Sequence, residues 1–141
     1  MRILTCGCFD LFHSSHQHYL AVIKERYPDC RLIVAVGDNA SVRRLKGKDR
    51  PCHDAEVRQQ YLENCEHVDE IHIFDVFAGH TEYQAGHKIL LEKVKPDRVV
   101  SGKGSPNRGI EPFLGEIPHD IIDIGDAETR LTTTKIIESH V

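Results

Sequence analysis

Short apolar runs alternate along the chain with longer amphipathic stretches. Ile3 to Cys6, Leu32 to Val36, Ile71 to Phe74, Arg98 to Val100 and Ile121 to Ile124 are each brief and rich in β-branched residues. Continuous runs of this length suit strands buried on both faces, as in a parallel sheet. Between them the pattern turns helical. Ser14 and Ser15 are both suited to cap a helix reaching about Arg26, with Tyr19, Leu20, Val22 and Ile23 as its apolar stripe and Pro28 as its stop. Asp54 is placed to cap a segment from Ala55 to about Cys65. A third helix is expected over Thr81 to Val94, ended by Lys95-Pro96, and a last one from Thr132 or Thr133 through Ile137. The order β-α-β-α-β-α-β-loop-β-α predicts an α/β, doubly wound, Rossmann-like fold: a parallel five-stranded sheet with helices on both faces. Residues 102–118 are rich in Gly and Pro and are expected to form a long loop.

With 141 residues the chain suits one domain, 1–141, and there is no internal repeat or linker. Apolar residues at 40% and charged residues at 28% argue for a packed core and against disorder. A net charge of −4 without a long basic run gives no support to nucleic acid or an anionic membrane as partner, but leaves small anions open. No stretch reads as a transmembrane span or a signal peptide. The five cysteines are odd in number and irregularly spaced, which predicts reduced thiols and a cytoplasmic protein rather than a disulfide framework. Cys6, Cys8, His13, His16 and His18 match neither C-x2-C nor H-x3-H spacing, so no metal ligand is assigned.

The chemistry concentrates in Gly7-Cys8-Phe9-Asp10-Leu11-Phe12-His13-Ser14-Ser15-His16, between the first strand and the first helix. In an open α/β sheet that turn lies at the carboxyl end of the strand, where ligands bind. The helix start offers unpaired N–H groups and the positive end of a dipole to a phosphate. His13 and His16, three residues apart, fall near one helical face and can converge on one anion.

These residues resemble the HxGH nucleotidyltransferases, whose opening reads G-x-F-D-x-x-H-x-G-H. The resemblance continues in order along nearly the whole chain. Val34 to Asp38 looks like the family's second strand and its acidic end. Leu45 to Pro51, with Arg58 beyond, resembles bacterial ADP-heptose synthases. Val68 to Ile71 matches the start of the third strand, and Thr132 to Ile137 resembles the S-T-T-K-I close of glycerol-3-phosphate cytidylyltransferases and heptose-phosphate adenylyltransferases.

The resemblance implies transfer of a nucleotidyl group from an NTP, ATP or CTP with Mg2+, to a small phosphorylated sugar or polyol, with release of pyrophosphate. It implies His13, His16 and Lys46 as catalytic groups, Lys46 on a mobile loop that closes over the phosphates. It implies nucleotide binding by Cys8, Phe9, His13, His16, Lys46, Thr132, Thr133 and Thr134, and acceptor binding by Asp10, Asp38 and Arg58. From the residues alone, Asp10 is as well suited to bracing the loop. A homodimer is expected, with Val68 to Ile71 in its interface.

The chain departs from the family pattern at Ser15, which replaces the motif glycine. It departs again at Ser101 to Ser105, where acidic residues are usual, and at Ala127 to Thr129, where an arginine is usual and Arg130 stands nearby. These departures define the alternative: a nucleotide-binding module of the same fold with impaired catalysis.

Overall fold

The computed structural model describes residues 1–79, 83–103, 109–124 and 136–138. The strands are β1 (Arg2–Gly7), β2 (Arg31–Gly37), β3 (Glu70–Phe74), β4 (Arg98–Gly102) and β5 (His119–Ile122). The helices are α1 (Ser14–Arg26), α2 (Asn39–Lys46), α3 (Ala55–Glu63) and α4 (Gly86–Val94), with a 3-10 turn at Glu111–Phe113. All five strands are parallel, in the order β3-β2-β1-β4-β5. The chain winds outward from β1 through β2 to β3, then crosses to the other side of β1 for β4. The reversal opens a crevice at the carboxyl ends of β1 and β4.

The apolar runs of β1, β2 and β4 work as expected of strands covered on both faces, whereas the edge strands β3 and β5 are only partly buried and leave Ile73 and Ile121 exposed. Ile3, Leu32, Val34, Val36 and Val100 face α1 and α3, where they join Leu20, Ile23 and Leu62. Their neighbours Leu4, Ile33, Ala35 and Val99 face the opposite way, against Leu90, Leu91 and Val94 of α4. A period of two within continuous apolar runs thus supplies two cores from one set of strands. Tyr19 ties α1 to β1 through a 2.8 Å hydrogen bond between its hydroxyl and that of Thr5, both buried.

Four expectations change. Helix α2 fills a stretch in which the pattern predicts no helix, because its only apolar positions are Ala40, Val42 and Leu45 among polar and charged ones. Asp38 caps it, one carboxylate oxygen accepting Ser41 N–H at 2.8 Å. The N-cap of α1 is His13, not a serine. Helix α4 starts at Gly86, and residues 80–82 of the expected span lie outside the described residues. Ile110 and Leu114, within the expected loop, are buried against α4. Of the last expected helix, residues 136–138 are helical, and its start at Thr132 or Thr133 lies outside the described residues.

The start of α4 is set by close contact. Gly86 N–H donates to Val76 O at 2.8 Å, and a Cβ on Gly86 would run into the backbone of Asp75 and Val76. Backbone cannot yield as a flexible side chain can. Gly86→Ala is expected to destabilise the fold by about 1–3 kcal/mol, read as a lower urea midpoint at unchanged slope; an unchanged midpoint would show that α4 shifts freely.

Candidate functional site at the carboxyl end of the first strand

The turn from Cys8 to His13 leaves β1 and enters α1 beside the crevice. It is an irregular backbone: Phe9 and Leu11 hold φ of 48° and 57°, a region that non-glycine residues occupy only when their surroundings impose it. Phe9 is imposed by burial, since the residue is 6% exposed in the core shared with α1 and α3. Gly7 makes room for that ring, which would lie 2.9 Å from any added Cβ.

His13 and His16 are brought together as the spacing predicted. Their rings stack at 3.7 Å between centroids and 20° between planes. His16 Nδ1 accepts the His13 backbone N–H at 3.2 Å, so it reciprocates the cap at the helix start. A ring nitrogen that accepts must be unprotonated, which puts the proton of the neutral ring on Nε2. Burial, and next the neighbouring His13, push the His16 pKa down to about 3, against a smaller upward pull from Asp10. His16 is therefore a neutral imidazole whose remaining donor is Nε2–H. Phe9 and Phe12 flank it at 5.1 Å and 5.8 Å.

Asp10 and Arg58, expected to meet the acceptor, lie inside the protein. Asp10 is 1% exposed. Its carboxylate accepts the N–H groups of Cys52 at 2.7 Å and His53 at 3.0 Å, and Arg50 Nε at 3.2 Å. Burial alone would raise its pKa, but these donors outweigh it and hold the carboxyl below its usual range. Arg58 is 0% exposed. Its Nε donates to His53 O, its Nη1 to Cys8 O and its Nη2 to Asn39 Oδ1, at 3.0, 3.0 and 3.1 Å. Both side chains brace the turn against residues 50–55, and Asp38 is engaged as the cap of α2.

Lys46 stands on the last turn of α2 rather than on a free loop, and it is exposed. With Arg43 and Arg44 it gathers positive charge where the helix dipole is negative. Its charge reaches the Cys8 thiol, together with those of Arg58 and Arg50. Burial still raises the Cys8 pKa, and pushes that of Cys6 to about 12. Both are neutral thiols at physiological pH, and all five cysteines are free. Ser15, in place of the motif glycine, is the second residue of α1 and half-buried. Thr132, Thr133 and Thr134 lie outside the described residues.

Sequence reasoning passed over Asn39, His53 and Tyr61. Asn39 Oδ1 accepts Ala55 N–H at 2.8 Å as well as Arg58. His53 Nδ1 pairs with the Tyr61 hydroxyl at 3.0 Å. Asn39 follows the carboxyl end of β2, the edge where functional residues collect, and that position was the available signal. A groove of about 450 Å3 runs from Phe12 and Gln17 along Tyr61 to His67. Among the described residues, no three of His, Cys, Asp or Glu converge to hold a metal, and no helix is long and apolar enough to cross a membrane.

Residues 4–107 match the model of the family described as Cytidylyltransferase-like. The chain belongs to the cytidylyltransferase-like family. Over 136 residues, 96% of the chain, it is 38% identical to the "Bifunctional protein HldE" of a Nitratiruptor species, and it covers 27% of that relative. It is 40% identical to the protein of the same name from Wolinella succinogenes over 134 residues, 95% of the chain and 26% of the relative. The chain thus spans about a quarter of the length of these relatives. Among solved structures, the lipopolysaccharide core biosynthesis protein of Thermoplasma volcanium superposes with a TM-score of 0.64 at 25% identity, over 89% of this chain and 97% of that one. These likenesses agree with the five-stranded α/β fold of this cytidylyltransferase-like chain.

The His16 environment has a measurable consequence. Its folded pKa is depressed, so as pH falls below about 6.5 the unfolded chain takes up a proton that the folded chain refuses. Stability is therefore expected to fall between about pH 6.5 and 4.5, before Asp10 titrates, and His16→Gln should flatten that slope by up to about 1.4 kcal/mol per pH unit. Urea midpoints across that range check it. Equal slopes in both proteins would show that His16 protonates freely in the fold.

Proposed function

We propose that the chain transfers a nucleotidyl group from an NTP, ATP or CTP, to a phosphorylated sugar or polyol and releases pyrophosphate. The observation that carries this reading is the stacked His13–His16 pair beside the Cys8–Phe9 backbone at the crevice of the sheet. A neutral Nε2–H and the helix N-terminus there suit a polyphosphate, and Lys46 is near enough for its charge to act on Cys8. Family membership supports the reaction class. The resemblance of Leu45 to Pro51 to ADP-heptose synthases supports a sugar phosphate as acceptor.

In the proposed reaction an oxygen of the acceptor phosphate forms a bond to the α-phosphorus in line, and the bond from that phosphorus to the bridging oxygen of pyrophosphate breaks. The acceptor oxygen is already ionised at neutral pH, so no general base is needed. His16, neutral down to about pH 3 in the free protein, supplies a hydrogen bond and not a proton. Catalysis then consists of positioning and of stabilising charge on the leaving group. Asp10, the carboxylate of the turn, is engaged by three donors. The turn thus offers no ligand set for a resident magnesium ion, and Mg2+ belongs to this reading as part of the MgNTP substrate. The homodimer also belongs to it. Strand β3 lies at the sheet edge with Ile73 exposed, while the Asp69 and Glu70 carboxylates are engaged by Lys24 and by Arg2, Arg31 and His72. The backbone edge and Ile73, more than those charges, would meet a second copy.

Pyrophosphate release from ATP and from CTP, with Mg2+ and a panel of phosphorylated sugars and polyols, tests the reading. One productive pair is expected, and His16→Ala should lower its kcat about 100-fold or more. Undiminished turnover in His16→Ala would remove this site from the reaction. NTP binding with no turnover across the panel would favour the impaired binding module set by Ser15 and the altered segment after β4.

A further inference from the structure

Arg58 Nη1 donates to the carbonyl of Cys8 at 3.0 Å, and the peptide between Cys8 and Phe9 is trans. A planar trans peptide sends its C=O and its N–H in opposite directions. A guanidinium fixed on the carbonyl therefore sets the heading of the Phe9 N–H, away from α3. Among the described residues, no backbone acceptor takes up that N–H. A cationic donor on the carbonyl also polarises the peptide, because hydrogen bonds in a chain strengthen one another. Arg58 cannot swing, since His53 O and Asn39 Oδ1 hold its other nitrogens. Asn39 is fixed in turn by Ala55 N–H at 2.8 Å.

We propose that Arg58 and Asn39 are positioning residues that aim and polarise the Phe9 N–H as a donor to a bound phosphate, acting through the Cys8 carbonyl without touching the ligand. The inference rests on the nucleotidyl-transfer reading only for the identity of that anion, a phosphate group of the NTP or of pyrophosphate. A direct contact from Arg58 would add charge to the site. The buried arrangement instead adds direction to a neutral amide, and it uses the side chain that the core has already fixed.

Amide NMR of the full chain titrated with inorganic pyrophosphate and Mg2+ tests it. In the unaltered protein the Phe9 amide proton is expected to move downfield at saturation. Arg58→Met should weaken pyrophosphate binding about tenfold and largely abolish the Phe9 response. Asn39→Ala should do the same to a smaller extent. Asn39→Asp, which keeps acceptor oxygens for Arg58 and Ala55, should restore both affinity and response; a merely structural role would not make the Phe9 signal follow the acceptor at position 39. If Arg58→Met does not fold, the Asn39 pair decides. Folded variants with an unaltered Phe9 response and affinity would overturn the inference, as would an unaltered protein whose Phe9 amide ignores pyrophosphate. A Phe9 response that depends on Arg58 and Asn39, in a chain that turns over no NTP and acceptor pair, would uphold the positioning role while the transfer reading failed.

Discussion

A buried guanidinium organises this end of the molecule. Leaving the Arg58 charge in the protein interior without partners would cost several kcal/mol. The fold meets that cost by bringing three oxygen acceptors from separate segments to one plane: Cys8 O from the turn, His53 O from the segment before α3, and Asn39 Oδ1 from the start of α2. Two of these acceptors are backbone carbonyls and the third is a side-chain amide, and each ties down a segment that would otherwise be free to drift. Asp10 does the converse with the opposite charge, collecting N–H and guanidinium donors from residues 50–53. The two charges close a frame around the turn, so that its positive-φ residues, which would relax in an isolated peptide, are held in place.

The histidine pair depends on that frame. Stacked imidazoles at 3.7 Å are stable as neighbours only while they do not both carry charge. Burial, and next the neighbouring His13, keep His16 neutral, while the cap hydrogen bond to its Nδ1 fixes the tautomer. In the proposed reaction an already ionised substrate would gain from this, since oriented neutral donors bind an anion without the reorganisation that a flexible cation would need.

Parts of this arrangement were legible in the residues. The two-sided apolar runs of the inner strands, the alternation of strands and helices and the turn that carries the histidines followed from periodicity and spacing, and the structure has them in that order. Helix α2 was not legible, because Arg43, Arg44, Lys46 and Lys48 dominate a stretch whose packing depends on small residues: Ser41 Oγ accepts Val76 N–H, and Val42 sits against Gly37. Nor was the burial of Arg58. A lone arginine seven residues after a proline reads as an exposed helical charge or a ligand contact, and nothing nearby in sequence announces acceptors that come from 50, 19 and 5 residues away.

The sequence by itself determined the class of fold and the convergence of His13 and His16 at the strand-to-helix turn. Those features are set by local period and short spacing, which a linear chain displays openly. Only the tertiary structure decided that Asp10 and Arg58 support the turn from inside, that Lys46 rides on a helix, and that His16 is a neutral donor. Those outcomes depend on burial and on partners brought from distant segments, and both are properties of the closed fold.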